Sequence, residues 1–293
     1  MTLRYVARWT VVAHASLLLA GGAGTRVTAQ TPSPLGRGWV QVPAPSEGSP
    51  ERQCANRTDW TAQVRLLADG RVEAAKNGDY GRAVPPAAPP LPFPVVSDIK
   101  AGGPLLTKAI PGGYLVGFNH GEFGGSVWWY DATGTSKRRL GDAHPVGFVD
   151  VVLPGRTILT GVVEGLAHMG EDAGSVSIVE RDAAGALSLK PLARFDSAPK
   201  AVGRSGPAGT LVATGLAVVR VAPDGTIRRV ASIDTRDLYP QSIVEAANGS
   251  IFLGMRRYVV EVAPGTLSTR ISWYTDAACP VFRPGRQTSC VCG

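Results

Sequence analysis

The stretch from Gln241 to Tyr274, QSIVEAANGSIFLGMRRYVVEVAPGTLSTRISWY, decides the fold. Apolar runs rich in Val and Ile alternate in it with short segments that contain Gly, which is the pattern of strands joined by turns. Asn-Gly and Pro-Gly between such runs favour tight turns. We therefore predict four successive antiparallel strands, A to D, at Gln241–Ala246, Ser250–Gly254, Tyr258–Ala263 and Leu267–Tyr274.

The same order of strands and turns recurs along the chain from about residue 104. The matching segments are 211–225 with 251–265, 120–134 with 169–185 and, more weakly, 151–161 with 281–293. Units of about 40 to 50 residues are typical of the four-stranded blades of a β-propeller. The sequence thus predicts an all-β fold with four complete blades, which begin near Leu105, Val146, Lys200 and Gln241.

These units resemble the blades of secreted sugar-binding, lactonase-like and streptogramin-lyase-like β-propellers. The resemblance covers most of the chain after its first thirty residues, and it implies an architecture rather than an activity, because propellers carry many unrelated functions. The alternative fold is a β-sandwich with irregular loops. A sandwich accounts for the density of strands but not for repeats that stay in phase.

The two ends of the chain carry half-units that complement each other. The C-terminal segments CPVFR (279–283) and RQTSCVCG (286–293) supply strands A and B of a fifth blade. The N-terminal segment Trp60–Ala75, with Asp69-Gly70 between two apolar runs, predicts a hairpin that we assign to strands C and D. We expect the hairpin to pair with the C-terminal strands and close a ring of about five blades, which would remove exposed sheet edges.

The chain begins with an export signal. Arg4 and Arg8 precede the short apolar stretch Thr10–Gly24, and small residues at 27–29 predict cleavage before Gln30. An uncleaved N-terminal anchor is the alternative. The predicted domains are a signal peptide (1–29), a disordered leader rich in Pro, Gly and Ser (30–53) and one propeller domain (54–293) with a Pro-rich connector at 84–94.

The four cysteines that remain after export are expected to form disulfides. A periplasmic or extracellular protein meets oxidising conditions, so Cys54, Cys279, Cys290 and Cys292 should form disulfides. We expect Cys54 to pair with Cys290 or Cys292 and thereby fasten the ring. A metal bound by all four thiolates is the competing interpretation, although only the last two cysteines are close in sequence and C-x-C lacks the usual zinc spacing.

The charge of the chain excludes some partners. Removal of the signal, with Arg4, Arg8 and Arg26, lowers the formal net charge from +7 to +4, and this excess is spread along the chain. A nucleic-acid site needs concentrated positive charge, so no nucleic-acid partner is expected. No segment after the signal is apolar for long enough to form a transmembrane helix.

Candidate functional residues lie on the longer loops, which join strands B and C or connect one blade to the next. In a four-stranded meander both kinds of loop leave the sheet at the same end, and functional residues often occupy such loops. Histidines, carboxylates and an Arg there suit a carboxylate, a sugar or a divalent metal ion. Local structural hydrogen bonding is the alternative role for each of them. The predicted ligand-binding residues are His120, Glu122, His144, His168, Glu171, Asp237, Tyr239 and Arg256, with Glu164, Asp172 and Arg257 nearby.

Two classes of function follow from this set. The first is a module that binds a small molecule, a glycan or an envelope protein through the loops. The second is a hydrolase or lyase that uses His120, His144, His168 and Glu122 around a divalent metal ion, which would be its cofactor. The chain contains no G-x-S-x-G, H-E-x-x-H or P-loop motif that would name a reaction. A structural envelope protein without a ligand is a third option.

Overall fold

Runs of β-branched and aromatic residues form the strands, and turns that contain Gly separate them. The computed structural model of the chain describes residues 33–58, 60–77, 91–95, 105–155, 157–264, 270–284 and 290–292. The strands are β1 (Trp39–Val42), β2 (Thr61–Leu66), β3 (Val72–Asn77), β4 (Leu105–Ile110), β5 (Gly113–Asn119), β6 (Gly125–Tyr130), β7 (Lys137–Gly141), β8 (Pro145–Val151), β9 (Leu159–His168), β10 (Glu171–Arg181), β11 (Leu187–Phe195), β12 (Pro199–Val202), β13 (Thr210–Thr214), β14 (Ala217–Val221), β15 (Ile227–Ser232), β16 (Ser242–Glu245), β17 (Ile251–Gly254), β18 (Tyr258–Ala263), β19 (Arg270–Asp276), β20 (Phe282–Pro284) and β21 (Cys290–Cys292).

Two helices accompany these strands in the described residues. Helix α1 spans Pro50–Asn56 and lies between β1 and β2 in the chain, and a 3-10 helix spans Gly121–Phe123 between β5 and β6. Neither is long and apolar enough to span a membrane. The predicted signal peptide, 1–29, lies outside the described residues, as does most of the predicted connector at 84–94.

Four antiparallel sheets form the body of the fold, and in each of them strands adjacent in sequence are adjacent in space. They are the first sheet (β4 to β7), the second (β8 to β11), the third (β12 to β15) and the fourth (β16 to β19). Their first strands begin at Leu105, Pro145, Pro199 and Ser242, each within one residue of the predicted start. The prediction of an all-β fold built from four-stranded units is therefore confirmed.

Aspartates stabilise the turns between the third and fourth strands of three sheets. Asp131 Oδ1 accepts a hydrogen bond from Thr135 N (3.0 Å), Asp182 Oδ1 from Ala186 N (2.7 Å) and Asp224 Oδ1 from Thr226 N (2.9 Å). Asp favours turns because its short side chain reaches backbone N–H groups a few residues further on. The recurrence of Asp in these turns is thus a structural part of the repeat.

The core lies between successive sheets, which face each other with Val, Leu and Ile. Between the first and second sheets lie Leu115, Val127, Val162 and Val179. Between the second and third sheets lie Val149, Val163, Val176, Val212 and Val219. Between the third and fourth sheets lie Ala213, Val218, Ile243 and Leu253. The first strands also touch, because β8 contacts β12 and β12 contacts β16. Full burial of one such side chain is worth about 1.5–3 kcal/mol.

The described part of the predicted leader contains strand β1 and the start of helix α1, neither of which the sequence interpretation included. Strand β1 pairs antiparallel with β19, with Val42 opposite Trp273, and so adds a fifth strand to the fourth sheet. Helix α1 starts at a Ser49 cap, whose Oγ accepts from Arg52 N (3.2 Å), followed by Pro50. The prediction of disorder rested on the abundance of Pro, Gly and Ser and did not consider the apolar WVQV stretch that forms β1. Trp39 of that stretch is buried against the fourth sheet and anchors the segment.

The predicted ring closure is wrong in its pairing. The hairpin forms as expected, but β2–β3 and β20–β21 are separate two-stranded sheets, and within the described residues they do not join and no closed ring is found. Strand β2 instead lies beside β16, where Val64 N donates to Ser242 Oγ (2.9 Å). The hairpin therefore lies beside the fourth sheet, where β2 contacts β16, β17 and β18. The reason is packing, because Ala62 and Val64 are buried against Phe252 of the fourth sheet.

Two disulfides connect the C-terminal segment to the rest of the fold. Cys54 of α1 pairs with Cys290 of β21, as the sequence predicted for Cys54, and Cys279 pairs with Cys292. The first bond closes a sequence separation of 236 residues and the second one of 13. With two disulfides, the structure is consistent with an exported protein.

We predict that the long-range disulfide contributes more stability than the short-range one. The variant C54S/C290S should lose about 5 kcal/mol of unfolding free energy and C279S/C292S about 3 kcal/mol, because the entropy removed from the unfolded chain grows with loop length. Urea denaturation of both variants measures the difference. A larger loss in C279S/C292S would contradict this order.

Candidate functional site

The loops at one end of the sheets contact one another, and we call this surface the loop end. It consists of residues 120–124, 142–144, 169–170, 196–198, 215–216, 233–241 and 255–257. Several hydrogen bonds join a loop of one sheet to a loop of the next. They are Leu216 N to Ser197 Oγ (3.2 Å), Thr235 N to Gly215 O (2.8 Å) and Arg256 N to Leu238 O (2.8 Å). The loop end is thus a connected surface rather than a set of independent loops.

His120 and His144 occupy neighbouring loops of the first and second sheets. Gly125 allows this approach, because a Cβ at that position would lie 2.1 Å from Ala143 O and 3.0 Å from His144 Cα. His120 N donates to Gly124 O (2.9 Å), and His144 O accepts from Gly165 N (3.0 Å). Backbone hydrogen bonds therefore fix the positions of both histidines, whose side chains are half-buried.

Glu122 and His168 are in direct contact across two sheets. Glu122 Oε2 lies 2.8 Å from His168 Nε2, and both side chains remain partly exposed, at 43% and 38%. Glu122 belongs to the 3-10 helix after β5, and His168 ends β9. A carboxylate and an imidazole at this distance form a hydrogen bond, which becomes an ion pair when the imidazole is protonated.

Large apolar side chains flank this contact and point into solvent. Phe123 follows Glu122 and is 71% exposed, and Met169 follows His168 and is 91% exposed. Glu171 is exposed as well and pairs with His168 in the β9–β10 register. Sequence reasoning missed both apolar residues. The available signal was a Phe and a Met inside tight polar turns, GEFGG and HMGE, from which a side chain cannot reach a core.

Glu164 and Asp172 serve the scaffold. Glu164 Oε1 accepts hydrogen bonds from Ser175 Oγ (2.9 Å) and Ser177 Oγ (3.1 Å) on the neighbouring strand β10. Asp172 Oδ1 accepts from Ala198 N (2.7 Å), and so joins the second sheet to the start of the third. For these two residues the structural alternative given by the sequence is the one that fits the contacts.

Arg256 and Tyr239 form a second group, on the third and fourth sheets. The guanidinium carbon of Arg256 lies 3.9 Å from the centre of the Tyr239 ring, a cation–π contact, and its Nη1 donates to Asn56 Oδ1 (2.7 Å) at the end of α1. Arg257 Nε donates to Thr58 Oγ1 (3.2 Å), two residues after Asn56. Both arginines therefore hold the N-terminal segment against the loop end.

Asp237 belongs to an ion-pair network built around the buried Arg52. Arg52 Nη2 lies 3.0 Å from Asp234 Oδ1, and Arg52 Nε lies 3.6 Å from Asp237 Oδ2. Arg236 also pairs with Asp234, at 3.0 Å. The hydrogen bonds from Arg236 and the charge of Arg52 lower the pKa of the Asp234 carboxyl from 3.8 to about 2, against the opposing effect of partial burial. Sequence reasoning missed Arg52 because it lies in the segment predicted to be disordered.

The predicted site residues thus form two groups rather than one. The first comprises His120, Glu122, His144, His168 and Glu171 on the first two sheets, and the second comprises Asp237, Tyr239 and Arg256 around α1. Among the described residues, no group of three or more His, Cys, Asp or Glu side chains is placed to hold a metal ion. What the first group does offer is an imidazole–carboxylate contact between two exposed apolar side chains.

We predict that Asp234 stabilises the fold in a pH-dependent way. A carboxyl pKa that is lowered in the folded state adds stability above the ordinary pKa and loses it as the pH falls through about 2. Asp234→Asn should therefore lower the unfolding free energy by about 2 kcal/mol at pH 7, with a difference that shrinks below pH 4. Denaturant unfolding from pH 7 to pH 2.5 measures this difference.

Asp237→Asn is the matched control for that experiment. Its carboxylate is 56% exposed and lies farther from Arg52, so its removal should cost less than about 1 kcal/mol. An equal loss in both variants, or a loss in Asp234→Asn that stays constant with pH, would contradict the role assigned to Asp234.

No model of a known protein family matches the chain, and no curated protein matches it. The chemistry of the loop end is therefore interpreted from its own residues.

Proposed function

We propose that this protein is an exported β-propeller of about five blades that binds a partner protein through the loop end. The contacts between successive first strands, β8 with β12, β12 with β16 and β16 with β2, support a radial order of the sheets. In that arrangement the β2–β3 hairpin is the inner half of a fifth blade. The two disulfides support export, since such bonds persist outside the cytoplasm.

The observation that carries the binding function is the pair of exposed apolar tips at Phe123 and Met169. The Glu122–His168 contact holds their two loops together, so the tips belong to one surface. Aromatic residues and Met are enriched at protein interfaces, and water contact with large apolar side chains costs about 25 cal/mol per Å². A partner that covers both tips regains that free energy.

A protein partner fits this surface better than a small molecule does. Both tips project from turns, and they would insert into a concavity of the partner. The polar pair between them can supply a directional hydrogen bond at the centre of such an interface. The scaffold beneath is tied by backbone hydrogen bonds, which reduces the entropy lost on binding.

The hydrolase or lyase remains the second candidate. Glu122 and His168 are the residues it would use, since a carboxylate that accepts from an imidazole can orient it as a general base. The described residues do not supply three donors for the metal ion that this chemistry was expected to need. That observation makes binding the better-supported proposal.

We predict that the double variant F123S/M169S weakens partner binding by at least about 10-fold, equivalent to about 1.4 kcal/mol. The mature protein is first used to capture a stoichiometric partner from a native envelope extract. The purified partner is then titrated calorimetrically against the wild type and the variant. Ile158→Ser is the matched control, because Ile158 is also exposed, at 67%, but lies between β8 and β9 at the opposite end of the second sheet.

Two results would overturn the proposal. One is equal binding by F123S/M169S and the wild type. The other is the absence of any stoichiometric partner together with a metal-specific rise in melting temperature, in Ca²⁺, Mn²⁺ or Zn²⁺, that His168→Ala abolishes. The second result would favour the enzyme.

A further inference from the structure

The outer strands of the first three sheets carry positive charge only. These strands are β7 (KRRLG), β11 (LSLKPLARF) and β15 (IRRVAS), and every charged residue on them is Lys or Arg. All of these cations are exposed. We call this surface the basic belt and define it by Lys137, Arg138, Arg139, Lys190, Arg194, Arg228 and Arg229.

The three strands of the basic belt are neighbours in space. A Cβ on Gly141 of β7 would lie 3.2 Å from Leu189 Cδ1 of β11. Arg229 of β15 pairs with Asp196, the residue that follows β11, at 2.5 Å. The cations therefore form one continuous surface along the outer edges of three sheets, although they come from three distant parts of the sequence.

Acidic residues neutralise only part of the basic belt. Arg139 pairs with Asp142, Lys190 with Glu180 and Arg229 with Asp196. Arg228 interacts electrostatically with Asp224, whose pKa is lowered first by hydrogen bonds from Thr226 and also by this charge. Arg138 and Arg194 make no ion pair with the described residues. The belt therefore keeps an excess of positive charge, which sequence reasoning regarded as spread along the chain.

An aromatic side chain holds two of these cations in place. Lys137 Nζ lies 5.3 Å and the guanidinium carbon of Arg139 lies 5.9 Å from the centre of the Trp128 ring. The register explains this, since Trp128 pairs with Arg139 and Tyr130 with Lys137 across β6 and β7. Ordered cations lose less side-chain entropy when they bind an anion.

Protection of sheet edges explains part of this pattern. Exposed edge strands carry charged side chains, especially Lys, that prevent pairing with other chains, whereas five of the seven cations of the basic belt are Arg. In the fourth sheet β1 covers the outer edge, and β1 (WVQV) carries no charge. The predominance of Arg on three neighbouring edge strands exceeds what protection of separate edges requires.

We propose that the basic belt binds a linear acidic polysaccharide. A polymer with regularly spaced carboxylate or sulfate groups can contact cations on three strands in succession, whereas each single contact is weak in water. A polysaccharide is favoured over a nucleic acid because the two disulfides are consistent with export, and an exported protein can meet acidic glycans. This surface is separate from the loop end, and the choice of its ligand rests on the proposed export but not on the proposed partner binding.

The proposal is tested with polygalacturonate as the probe and the full mature protein. We expect binding at 50 mM NaCl that weakens roughly 10- to 100-fold at 200 mM, because each contact releases a counterion. R138Q/R194Q/R228Q, which leaves the cations stacked on Trp128 intact, should weaken binding at least about 10-fold. K137Q/R139Q is a second variant that tests the stacked cations separately.

The control is R37Q/R65Q/R71Q, which removes the same charge from exposed residues outside the belt. Equal weakening by control and belt variants would show a non-specific charge effect and overturn the proposal, as would no binding at 50 mM NaCl. Tighter binding of a DNA duplex or of anionic phospholipid vesicles at matched charge would overturn the choice of ligand. F123S/M169S should bind polygalacturonate like the wild type, so failure of the loop-end proposal is distinguishable from failure of this one.

Discussion

Each four-stranded sheet of this protein is apolar on both faces, so each needs a cover on both sides. The fourth sheet shows the pattern, because Leu253 and Val260 face one way and Phe252 and Val259 the other. The second and third sheets lie between neighbours and bury both faces against them. This constraint requires a stack of sheets and leaves two terminal faces to be covered by other parts of the chain.

N-terminal segments cover the two terminal faces. The outer face of the first sheet packs against Leu91, Phe93 and Val95, and Phe93 stacks on Tyr130 with ring centres 5.5 Å apart. The outer face of the fourth sheet packs against Leu35 and the β2–β3 hairpin. These segments look like linkers or isolated hairpins in the sequence, yet the two end sheets would expose apolar surface without them.

The sequence predicts local structure here far better than the long-range arrangement. Alternating apolar residues and Gly turns define each sheet within about 45 residues, so their boundaries could be placed within a residue or two. The position of the β2–β3 hairpin depends on what Ala62 and Val64 pack against, and the pattern of a hairpin is the same for inner and outer strands. The order of residues 33–53 likewise depends on the buried Trp39 and Arg52, whose partners lie about 180 or more residues away.

At the candidate site, too, the sequence predicts the positions of loops but not the contacts between side chains that are distant in the chain. Topology alone assigns His120, His144 and His168 to loops at one end, but the Glu122–His168 contact depends on side-chain reach. The role of Arg256 could not be predicted, because its partner Asn56 lies in a helix that the sequence did not reveal. Exposed apolar residues in turns, such as Phe123 and Met169, are the one missed feature that the sequence does signal.

Helix α1 joins the C-terminal segment to the loop end. Cys54 ties it to β21, Arg52 to Asp234, and Asn56 to Arg256 at the loop end. This short helix is therefore bonded covalently to β21 and, through Arg52 and Asn56, non-covalently to the loops of the third and fourth sheets. The loops of the first two sheets carry the exposed apolar tips. These loops approach closely because residue 125 is Gly, and the Glu122–His168 contact joins them. The partner binding proposed at those tips would therefore depend on local contacts, while the disulfides stabilise the remainder of the loop end.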